Sequence, residues 1–222
     1  MKAGKVIIGV SGWFCTIVIV LVVESSGVAM QDNKSSTIKV WDLLVRVFHW
    51  ALVLFFLIAY VTAEELDLVH AYAGYTILGL LTFRLLWGLI GTRFARFKQF
   101  MCPPQHTSEY LKSMLSNTSP RYLGHNPAGG YAVLALIVSV AMTALLGMAL
   151  YATEGGGPWA DSFIAGFNGD WLEDIHEFFA NWSVLLIGFH VLGVLVSSFK
   201  HRENLVRSMW IGTKHRRPGD IE

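Results

Sequence analysis

His176 and His190 are fourteen residues apart, and so are His70 and Arg84. On an α-helix of 3.6 residues per turn, fourteen residues make close to four whole turns. Both members of each set would therefore leave one helix face, at levels about 21 Å apart. Imidazole is a ligand for first-row transition metals and a proton carrier near neutral pH. Two imidazoles from facing helices can hold a flat iron macrocycle between them, with a helix bundle supplying the apolar slot. That chemistry needs histidines at matched depths, so the elements carrying them decide the matter.

Those elements are apolar spans. The 222 residues are 54% hydrophobic and only 15% charged, against about 25% charge in soluble domains. A membrane protein follows, and disorder is excluded. Four core stretches are apolar over a bilayer-crossing length of roughly 17–25 residues. The predicted helices run over about 42–63, 69–91, 128–152 and 174–199. Asp42 is placed to cap the first, and Asn126 the third with Pro127 at its first helical position. The expected fold is an all-α membrane protein, a four-helix transmembrane bundle with an extra apolar N-terminal segment.

Charge orients the bundle. The linker 64–68 carries Glu64, Glu65 and Asp67, and the loop 153–174 carries five acids; neither has a Lys or Arg. The loop 92–129 carries Arg93, Arg96, Lys98, Lys112 and Arg121, and the tail after 199 carries six basic residues. Positive segments stay inside, so the loop 92–129, the segment 30–46 and the C-terminus are expected on the cytoplasmic side of the membrane. Residues 1–29 conflict with this parity. Lys2, Lys5, the apolar run 6–23 and Gly27-Val28-Ala29 are signal-like, yet a cleaved signal would reverse the core. A start at Met30, with 1–29 lying upstream of it, removes the conflict, and a fifth helix with its N-terminus outside is the other solution. The domain expectation is thus an N-terminal extension over 1–29 and a four-helix transmembrane bundle over 30–222.

With that orientation His49 and His190 share the cytoplasmic level, and His70 and His176 share the outer one. Ionisable residues inside a bilayer are costly and mark function. The pairs His49–His190 and His70–His176 could each clamp one macrocycle; His49 with His176 would demand ligands on opposite sides of the membrane. Arg84 falls at the cytoplasmic-side level, where it could pair a carboxylate of the macrocycle or snorkel to headgroups. Gly74, four residues after His70, leaves room on that face, as Ala180 does after His176. The tryptophans near span ends form an interfacial belt. A non-redox transporter, a proton-relay bundle or a plain membrane anchor would use the same histidines without a cofactor.

Other chemistry is excluded. A net charge of +1 offers no general polyanion surface, so no nucleic-acid partner is expected. Cys15 and Cys102 give no disulfide framework, zinc spacing or CxxCH. No nucleotide-binding or hydrolase motif is present.

The strings KVWDLLVRVFHW (39–50), VHAYAGY (69–75), FRLLWGLIG (83–91), GHNPAGGY (124–131), IHEFFANW (175–182) and GFHVLGV (188–194) resemble the bacterial cytochrome b561 family, which includes the b-type cytochrome subunits of nickel–iron hydrogenases. The resemblance covers about residues 38–213 and leaves 1–29 without a counterpart. It implies a four-helix bundle with two non-covalent b haems, and by motif position the ligands fall on His49, His70, His176 and His190. It also implies electron exchange with a quinone or quinol pool and with a periplasmic or membrane-attached redox protein, a c-type cytochrome or a hydrogenase. On that reading the chain is an electron carrier or the membrane subunit of an oxidoreductase rather than a complete enzyme. The acidic outer linkers would suit a basic patch on the partner.

Overall fold

The computed structural model describes residues 37–65 and 67–222. The expectations for 1–29, and the first residues of the segment 30–46, lie outside the described residues. Four long helices dominate: α1 (Leu43–Thr62), α2 (Asp67–Ile90), α4 (Pro127–Thr153) and α5 (Gly169–Lys200). A shorter α3 (Pro104–Leu115) lies between α2 and α4, and α6 (Leu205–Ile211) follows α5. Two three-residue strands, β1 (Thr37–Lys39) and β2 (Thr213–His215), pair antiparallel with Ile38 opposite Lys214.

The helix starts follow from side chains that satisfy the first orphan N–H groups. Asp42 Oδ1 accepts from the Val45 N–H at 2.9 Å, and Asn126 Oδ1 from the Gly129 N–H at 2.7 Å. Asn168 accepts from the Trp171 N–H at 2.8 Å, so α5 begins at Gly169, ahead of the expected 174. Asn204 opens α6, and Gly212 ends it at φ +86°, a backbone state that disfavours any side chain. The Gly212 carbonyl then accepts from the N–H groups of Val40 and Trp41, and so joins the chain end to the segment ahead of α1.

All four long helices are long and apolar enough to cross a membrane. Leu57, Val61, Leu89, Ile90, Val138, Phe189 and Leu192 lie exposed on them. In lipid that exposure costs nothing, while every backbone group is paired within its own helix. α1 packs on α2, α2 on α4 and α4 on α5; among the described residues α5 does not close back onto α1 or α2 by extensive helix–helix packing. A core of Phe48, Ile77, Leu81, Ile137, Val140 and Ala144 fills the α1–α2–α4 side.

The end carrying the start of α1, the end of α2 and the tail has its own closure. Val40, Trp41, Val45, Phe94, Ala95 and Leu123 form a second core there. Arg121 binds Glu203 and Asp220, both at 2.6 Å, and Lys214 reaches Glu203 at 3.4 Å. The network ties the loop after α3 to the C-terminal segment, and the backbone pairs of Leu123 and Arg121 with Ile221 run alongside it. This is the basic end; Glu64, Glu65 and Asp67 with the segment 154–168 make the acidic end.

Candidate functional site

At the acidic end, His70 near the start of α2 and His176 on α5 come together, with ring centroids 6.0 Å apart and ring planes 81° apart. Each ring is oriented by a backbone carbonyl. His70 Nδ1 lies 2.8 Å from the Ala59 oxygen of α1, and His176 Nδ1 lies 2.9 Å from the Thr143 oxygen of α4. A carbonyl only accepts, so both Nδ1 atoms carry the proton, and each Nε2 is left as the free lone pair. A hydrogen bond on the far nitrogen is the usual support of a metal-ligating imidazole.

Two imidazoles on opposite faces of one metal atom need centroids about 6 Å apart, the sum of two metal–nitrogen bonds of about 2 Å and two ring half-widths of roughly 1 Å. The observed spacing meets that requirement. A macrocycle bound there would supply the remaining donors to the histidine pair. The residues present therefore fit a haem.

The α4 face opposite His176 explains how the ring is accommodated. A Cβ built on Gly147 would stand 2.7 Å from His176 Cε1, so only glycine lets the ring lie there. Ser139, Thr143 and Gly147 recur every fourth residue on α4 and so share a face. Ser139 Oγ meets Ser183 Oγ of α5 at 2.8 Å, and Ser183 is fully buried. On α5, His176, Ser183, His190 and Ser197 repeat every seven residues, which is two turns. The fourteen-residue spacing of the two histidines was legible in the sequence; the role of Gly147 was not, because glycine is common in membrane helices. Gly74 has nothing within 4 Å of its would-be Cβ, so open space adjoins that face of α2.

At the basic end, His49 lies in the second turn of α1 and His190 lies on α5, fourteen residues after His176. His49 Nδ1 is buried without a partner among the described residues. Arg84 is 3% exposed and does not reach outward; its guanidinium lies 4.7 Å over the Phe97 ring, and Nη1 has no partner among the described residues. Asp42, beside it, has both oxygens engaged, by the Val45 N–H, Trp87 Nε1 at 3.1 Å and Thr92 Oγ1 at 2.6 Å. Burial alone would raise the Asp42 carboxyl, but the bonds from Thr92, Val45 and Trp87 outweigh it and hold it below its ordinary value.

Sequence reasoning passed over His125, reading it only as the residue ahead of a cap. Its ring packs between Trp41 and Phe100, with centroids 4.8 and 4.6 Å away. Burial, reinforced by the charges of Arg84, His190, Lys214 and His49, pulls its imidazole down to about 3, so it is neutral. His125 also lines a cavity of about 460 Å³ between α3 and the segment before α4, together with Phe100, Cys102, His106, Tyr110 and Tyr122.

The pattern of the prokaryotic cytochrome b561 family matches residues 40–212. Two curated relatives are similar along most of their length. The "Probable Ni/Fe-hydrogenase B-type cytochrome subunit" of Azotobacter vinelandii is 25% identical over 84% of this chain and 93% of its own. The protein of the same description from Azotobacter chroococcum mcd 1 is 24% identical with the same coverage. No solved structure matches. With four membrane-length helices, an oriented histidine pair and a family match over most of its length, the chain belongs to the prokaryotic cytochrome b561 family.

Proposed function

We propose that this multi-pass membrane cytochrome passes electrons across a bacterial inner membrane through two non-covalent b haems. His70 and His176 would hold one at the acidic end, and His49 and His190 the other at the basic end. When bound, haem supplies one-electron exchange at iron, and two protein imidazoles on each iron favour electron carriage over oxygen chemistry.

The observation that carries the reading is the His70–His176 pair, with both Nδ1 atoms committed to carbonyls and centroids at 6.0 Å. Everything else the chain does at that pair is positioning: Ala59 and Thr143 fix the tautomers, and Gly147 leaves room for a ring. At the basic end the buried guanidinium of Arg84 is suited to a haem carboxylate, and Gly74 borders open space on the face that carries His70.

The basic end would face the cytoplasm with the C-terminus, and the acidic loops the periplasm. Quinone or quinol is the membrane substrate, and the cavity beside His125 has the size of small-molecule sites. The names of the Azotobacter relatives support a hydrogenase as the redox partner, with a c-type cytochrome as the other candidate. The chain then serves as a membrane subunit that carries electrons rather than as a complete enzyme.

A reduced-minus-oxidised spectrum and a pyridine haemochrome assay of the purified protein test this. Two b haems per chain are expected. A colourless, folded preparation would instead favour a transporter or proton relay.

A further inference from the structure

Buried polar groups in folded proteins nearly always find partners. At the basic end several have none among the described residues, Arg84 Nη1 and His125 Nδ1 among them. These two arrive from different elements, Arg84 from α2 and His125 from the segment ahead of α4, and they share an aromatic wall. Arg84 lies over Phe97, the Phe97 ring is 5.8 Å from Phe100, and Phe100 is 4.6 Å from His125.

A guanidinium has only donors, and once buried it requires an anion. The acid whose charge reaches Arg84 is Asp42. Both its oxygens are already engaged, by Val45, Trp87 and Thr92. The His125 imidazole, kept neutral by burial and within reach of the Arg84 charge, adds a donor without adding a charge, which suits one face of a carboxylate. Haem b brings carboxylates of its own.

We infer that Arg84 and His125 form a two-point clamp for a carboxylate of the haem held by His49 and His190. His125 is thereby a positioning residue rather than an iron ligand. The inference rests on the function proposed above. It makes the segment before α4 part of the cofactor site, and not only a helix start.

The test uses the full chain carrying His70→Ala and His176→Ala, so that only the basic-end site remains. This chain is loaded either with haem b or with haem b dimethyl ester, which keeps the iron and ring but lacks the anionic carboxylates. Transfer of the group to excess apomyoglobin gives the rate of loss. His125→Ala should release haem b about tenfold faster, as expected for losing a hydrogen bond to a charged acceptor. His125→Gln, which keeps an N–H donor, should stay near the parent rate. With the dimethyl ester all three chains should release at one common, faster rate. Equal acceleration by His125→Ala for both forms of haem would show a general packing role and overturn the clamp, as would no acceleration for either. Failure of the parent to take up any haem would overturn the two-haem function itself, an outcome separate from these.

Discussion

At His176 the acidic-end site depends on one missing methyl group. Gly147→Ala would drive a Cβ to within 2.7 Å of the ring, and overpacking of this kind costs about 1–3 kcal/mol. The expected result is loss or weakening of the acidic-end haem with the basic-end haem retained, read from haem stoichiometry. At the basic end, Asp42 caps α1 and accepts from Trp87 and Thr92. Its carboxyl sits below its ordinary value, so its stabilisation is complete above the unfolded value of about 3.9 and fades as pH falls through the folded value. Asp42→Asn should therefore lower the melting temperature near neutral pH and flatten its decline in acid. At this scale the sequence disclosed the histidines, because their chemistry and fourteen-residue spacing belong to the side chains themselves. It could not disclose the Ala59 and Thr143 carbonyls that orient two of them, since a backbone acceptor has no residue signature. Nor did it disclose His125, whose burial comes from Trp41 and Phe100, both remote from it along the chain.

At the level of elements, α4 and α5 meet through small and hydroxyl side chains, with Ser183 fully buried against Ser139. Interhelical bonds of this kind contribute about 0.6 kcal/mol in membranes, so Ser183→Ala should be nearly silent. Ser183→Leu would wedge α4 from α5 between the levels of His176 and His190, and is expected to reduce occupancy at both haem sites by spectroscopy. The basic end depends instead on charge. Arg121→Ala leaves Glu203 and Asp220 without their main partner, a loss of about 3 kcal/mol for a buried pair. Faster proteolysis of the C-terminal segment in detergent would register it. The four long helices were readable because lipid demands uninterrupted apolar length. The β1–β2 pair was not, because it joins segments at opposite ends of the bundle sequence, and only the fold brings Ile38 opposite Lys214. α3 and the early start of α5 also escaped. Both lie in polar stretches where apolar length gives no signal; Asn168 caps the start of α5, and α3 opens on Pro104 without a side-chain cap.

For the whole molecule, the two ends differ in kind. One is acidic and made of short linkers; the other is basic, closed by a salt-bridge network and by the strand pair. If the basic end faces the cytoplasm, a C-terminal green fluorescent protein fusion should fluoresce and a C-terminal alkaline phosphatase fusion should be inactive. The central claim is the pairing of histidines across this architecture, and haem counting in double variants addresses it most directly. His49→Ala with His190→Ala removes both ligands of one site, so one haem per chain should remain. His49→Ala with His176→Ala breaks both sites, so none should remain. Equal haem content in the two double variants, or retention of a haem only in the second, would contradict the account.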